Sequence, residues 1–114
     1  MSINFKINKH TPCMDAYIFV TRRRSDNEIH CVWSADNDNE IIKQGISRME
    51  MRKNRHKHTV KSVLDYFSYV AERKNHELHI YRFKDVVSHL PTLPPEVLKE
   101  AESLQWIVSQ NGTS

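Results

Sequence analysis

The chain has 114 residues, of which 39% are hydrophobic and 27% charged, with a formal net charge of +3. That size admits one domain, and two Trp, four Tyr and four Phe supply more apolar surface than a disordered chain carries. Only two glycines occur, Gly45 and Gly112, which excludes the Gly-rich phosphate loops of dinucleotide-binding and P-loop enzymes.

The start of the chain lacks the apolar core of a secretory signal, and no apolar run approaches the roughly 18 residues of a membrane span. The expectation is a cytoplasmic protein with no membrane partner. Cys13 and Cys31 form no C-x-x-C pair, so reduced, packed thiols are expected.

Residues 2–8 alternate polar and apolar, with Ile3, Phe5 and Ile7 on one face, as in a short strand. Two β-branched and aromatic runs follow, 16–22 and 28–34, separated by the polar stretch 23–27. They predict a β-hairpin, with Ile29, Cys31 and Trp33 sharing one face of its second strand. Acids at 36–40 mark a helix start, and Ile42, Ile46 and Met49 predict a helix over 38–52. Gly45 weakens that helix by roughly 1 kcal/mol against Ala.

The clearest helix spans 59–74. Val60, Val63, Leu64, Phe67, Val70 and Ala71 form one stripe, with Thr59 as its cap and Arg73 and Lys74 at its negative end. Period two returns over 77–83, with Leu78 and Ile80 opposite His79, Tyr81 and Phe83, and predicts a strand. A short helix over 84–90 stops at Pro91, and Pro95 opens a last helix whose stripe is Val97, Leu98, Ala101, Leu104 and Val108. Residues 24–30 (RSDNEIH) echo 73–79 (RKNHELH), read as two loops leading into strands rather than as a repeat.

The C-terminal half, Leu78–Phe83, Asp85–Leu90 and Pro95–Ala101 with Trp106 and Ile107, resembles the winged-helix form of the helix-turn-helix, although the chain ends where a wing hairpin would begin. The fold class expected is therefore α+β. An N-terminal antiparallel hairpin with a helix (1–57) is followed by a winged-helix-like helix-strand-helix-helix half (58–110) and a tail (111–114). The resemblance implies DNA binding through the last helix. Glu96, Glu100 and Glu102 on that helix, with Lys99 as its only cation, argue against this, because carboxylates are repelled by phosphates.

Positive charge is unevenly spread. Residues 1–61 hold 12 Lys and Arg against 7 acids, whereas residues 62–114 hold 5 against 7. Lys43, Arg48, Arg52, Lys53, Arg55, Lys57 and Lys61 face only Glu50 within 43–61, with His56 and His58 interspersed. A second knot, Arg22–Arg23–Arg24, stands at the hairpin tip. These ten residues are the candidate binding site, for an acidic partner protein or a nucleic acid. Trp33, Tyr66 and Tyr69 carry rings suited to base stacking, but their periodicity assigns them to the core.

Catalytic and metal patterns are weak. Asp36-x-Asp38-x-Glu40 has Ile41 where a calcium loop requires Gly. His10, Cys13, His30 and Cys31 have zinc-ligand chemistry, but neighbours in a regular strand point to opposite faces. No metal, cofactor or catalytic residue is assigned. The expected function is a non-enzymatic regulator or inhibitor docking a basic surface onto a partner. In genre it resembles the small accessory proteins of phages and mobile elements that act on host nucleases, repressors or replication proteins. Direct DNA or RNA binding through the same residues is the alternative, and an edge strand of the hairpin leaves a homodimer open.

Overall fold

The computed structural model describes residues 5–7, 15–49 and 58–109. Its strands are β1 (Phe5–Ile7), β2 (Tyr17–Arg23), β3 (Ile29–Ala35), β4 (His76–Arg82) and β5 (Ile107–Ser109). Its helices are α1 (Asp38–Met49), α2 (Val60–Arg73), α3 (Phe83–Ser88) and α4 (Pro95–Ser103), with a 3₁₀ turn at Leu90–Thr92. The fold is α+β: β3, β2 and β4 form an antiparallel sheet in that order, and β1 pairs antiparallel with β5. Among the described residues no helix is long and apolar enough to cross a membrane.

The run AYIFV at 16–20 is apolar on both faces because β2 is the central strand, covered on both sides. Ile18 and Val20 face Val86 of α3, Val97 and Ala101 of α4, and Ile107 of β5. Phe19 and Tyr17 face Ile41 of α1 and Val63 and Phe67 of α2. The halves on either side of His58 are thereby interleaved: β4 from the second half pairs with β2 from the first.

Local chemistry sets the element ends. Asn37 caps α1 by accepting from Glu40 N at 2.9 Å, and Thr59 and Ser62 form a reciprocal capping box on α2. Asn27 and Asn75 both adopt φ of 60°, so the two echoed segments are two left-handed Asn turns. They lie side by side, Arg24 N donating to Asn75 O at 3.0 Å.

The glycine expected to weaken α1 proves to have a packing role, and the expected place of Val108 is corrected. Gly45 is buried, and a Cβ there would stand 2.8 Å from both Val63 methyls, so the glycine is what lets α1 pack closely on α2. Val108 leaves the helical stripe and lies exposed in β5. Gln105, at φ of 63°, ends α4 in a left-handed turn in which Trp106 N donates to Ala101 O at 2.9 Å.

Candidate functional site

The arginine triplet is held in place by alternation along β2 and the turn that follows it. Arg22 falls on the Ile18–Val20 face and forms an ion pair with Glu96 of α4; only 21% and 11% of the two side chains are exposed. Arg22 Nη1 also donates to Asn27 O at 2.9 Å. Arg23 points to the other face and grips Asp26 with two bonds, 3.0 and 2.7 Å. Those bonds, with Glu28 N donating to the same carboxylate, hold Asp26 below the usual carboxylate range. Arg24 reaches Glu72 of α2 at 3.2 Å and Glu77 of β4 at 3.7 Å. Every guanidinium of the triplet faces a carboxylate of this chain.

The second basic region has fewer described partners. Lys43 is exposed on α1, Arg48 lies in its last turn, and Arg52, Lys53, Arg55 and Lys57 lie outside the described residues. Lys61 stands in the first turn of α2 and pairs with Asp65 at 2.9 Å, the bond that raises its ammonium pKa. Arg24 meets α2 at Glu72, so roughly 16 Å of helix axis separates the triplet's contact from Lys61. Among the described residues the structure therefore does not gather the triplet and Lys61 into one patch.

Beside Lys61 lies a polar groove that the sequence did not signal. It has a volume of about 520 Å³ and is lined by Asp15, Tyr17, Asp38, Asp65 and Arg82. Tyr17 donates its hydroxyl to Asp38 Oδ1 at 3.2 Å, and the Arg82 guanidinium lies 5.4 Å from the Tyr17 ring centre. Burial pushes the Tyr17 phenol pKa up, Arg82 opposes that shift, and Asp38 adds to it. Tyr17 spans a sequence separation of 21 to reach Asp38, which no local motif announces.

His10 and Cys13 lie outside the described residues. His30 and Cys31 do not diverge as regular strand neighbours would. The pairing of β2 with β3 slips between Thr21 and Arg22, and this bulge lets both side chains line one cavity. Among the described residues no group of three or more His, Cys, Asp or Glu side chains is placed to hold a metal ion. The carboxylates expected on the outer face of the last helix also divide: Glu102 is exposed, whereas Glu96 turns inward to Arg22.

Comparison of the chain with protein-family models, curated proteins and solved structures finds no match.

Proposed function

We propose that the protein is a non-enzymatic cytoplasmic regulator that docks the basic stretch 43–61 onto an acidic surface of a partner protein. The observation that carries this reading is the imbalance within that stretch, seven Lys and Arg against Glu50 alone. The Arg22–Arg24 triplet supports it by contrast, because carboxylates of the same chain already face its charges. A solvated surface charge carries a modest interaction energy, whereas a field of like charges steers an oppositely charged partner and speeds association.

The test is capture by the tagged chain from lysate of its source cells, with and without nuclease. The wild-type chain is compared with the variant in which Arg52, Lys53, Arg55 and Lys57 are all Ala. The reading expects a protein that survives nuclease treatment and is lost with the variant. Capture that nuclease abolishes favours direct nucleic-acid binding, whose affinity would fall steeply with salt. Equal capture by both chains refutes a role for the stretch.

A further inference from the structure

Between the sheet and the C-terminal half of α2 lies a half-open cavity of about 150 Å³. Its walls are the rings of Trp33 and Phe67, which meet edge to face at 5.8 Å, with the aliphatic Val70 and Ala71 of α2. The basic groups lining it are His30, Lys74 and His76, and no Asp or Glu lies among its described lining residues. His30 and Lys74 are exposed, whereas His76 is 9% exposed and holds its ring 4.5 Å from that of His30. Among the described residues no carboxylate forms an ion pair with Lys74. An apolar slot thus opens at a rim of one sign of charge.

We propose that this cavity binds a small aromatic carboxylate, with its ring against Trp33 and Phe67 and its carboxylate at the open rim beside Lys74. The volume is that of an apolar cavity able to admit one benzene-sized ring. Perpendicular walls suit such a ring, which can lie offset on one aromatic face and meet the other edge on. The charge of the ligand follows from the rim. Lys74 caps the end of α2, whose dipole carries only about half an elementary negative charge, so positive charge prevails there. Arg23, opposite His76 in the strand pairing, is already answered by its two bonds to Asp26. One unanswered ammonium matches a monoanion, and the same ammonium repels a cation. The groups facing His76 agree in sign: after burial, His30 of β3, Lys74 of α2 and Arg23 of β2 hold its imidazole below its usual pKa. At the rim a carboxylate keeps part of its hydration, which spares it the cost of a fully buried charge. This site is separate from the basic stretch and does not depend on its role.

The experiment is a ¹H–¹⁵N NMR titration of the full chain with benzoate, acetate, toluene and benzylammonium. The expected result is saturable millimolar binding of benzoate, with shifts centred on Phe67, Ala71, Lys74 and His76, and weaker binding of the other probes. Lys74→Gln, at an exposed position, keeps the fold and should weaken benzoate about fivefold while leaving toluene unchanged. Ala71→Leu should fill the space and abolish both. Benzoate should also raise the midpoint of the His76 imidazole titration, because a nearby anion favours the imidazolium, and toluene should leave it in place. Absence of saturable shifts with benzoate overturns the proposal, as does a benzoate affinity unmoved by Lys74→Gln. Acetate binding as tightly as benzoate would remove the role of the ring pocket, and benzylammonium binding as tightly would remove that of the charged rim; either result overturns it too.

Discussion

The two arginine- and lysine-rich regions look alike in the sequence and differ in how much of their charge the described residues are seen to meet. Arg22, Arg23 and Arg24 each find a carboxylate on another part of the chain: Glu96 of α4, Asp26 of the turn, and Glu72 and Glu77 of α2 and β4. Within 43–61 seven cations share one acid, and the ion pair described there, Lys61 with Asp65, is an exposed pair one turn apart on a helix. Pairs of that kind are screened by solvent and contribute little to stability. A run of cations therefore has two physical meanings. Where β-strand alternation and a tight turn aim the side chains at neighbouring helices, the charge becomes internal bonding; over 43–61, as we propose, it is left to meet a partner.

The largest expected effect tests the proposed role of the 43–61 stretch. Replacing Arg52, Lys53, Arg55 and Lys57 together by Ala should weaken partner binding by about 100-fold or more, since each charge-assisted contact contributes on the order of 1 kcal/mol or more. The thermal midpoint should hardly move. A triplet variant, Arg23→Ala with Arg24→Ala, that weakened binding as severely would mean that the paired arginines also reach the partner.

Next in size is Arg22→Ala, which strands a carboxylate that is 11% exposed. Denaturant unfolding should show a loss of about 2–3 kcal/mol, below the range for fully buried pairs because both partners retain some solvent. Gly45→Ala follows. The new methyl collides with Val63, itself fully buried, and overpacking of this kind costs about 1–3 kcal/mol, partly offset by roughly 1 kcal/mol of helix propensity. A stabilised variant would mean that α1 can shift and that Lys43 is not held at a defined place.

Acid should destabilise the fold through the buried His76. His76 is kept below its ordinary pKa of 6.5 by burial first, then by His30, Lys74 and Arg23. The unfolded chain therefore takes up a proton at higher pH than the folded one. Stability should be full above about pH 6.5 and should fall as pH drops from there through the folded-state value. Thermal midpoints measured between pH 7.5 and 5 would show the fall, and His76→Gln should flatten it. The smallest effect belongs to Arg24→Ala: its pairs are 43–64% exposed, so unfolding free energy should change by no more than about 0.5 kcal/mol.

Much of the fold was legible because its signals are local. The stripe on α2, the Thr59 cap, the two-run hairpin and the Pro95 helix start each depend on residues within a few positions of one another, and the structure bears them out. The end of α4 was not legible. Gln105 takes a left-handed turn usually given to Gly or Asn, so nothing in the sequence separated Val108 from the helical stripe. Gly45 read as a weakness because its reason, the methyls of Val63, sits 18 positions away.

The candidate site divides along the same line. The total charge, its concentration in 43–61 and the identity of the ten cations can all be read from the residue order, because charge is a property of composition. Which of the described cations find a carboxylate depends on packing. Glu96 reached Arg22 because α4 packs on the Ile18 face of the sheet, and Glu72 reached Arg24 because α2 ends beside the hairpin turn. The bulge that turns His30 and Cys31 toward Thr21 and His76 likewise exists only in strand pairing. Pairing and packing join residues far apart in the chain, and no local period of two or 3.6 carries that information.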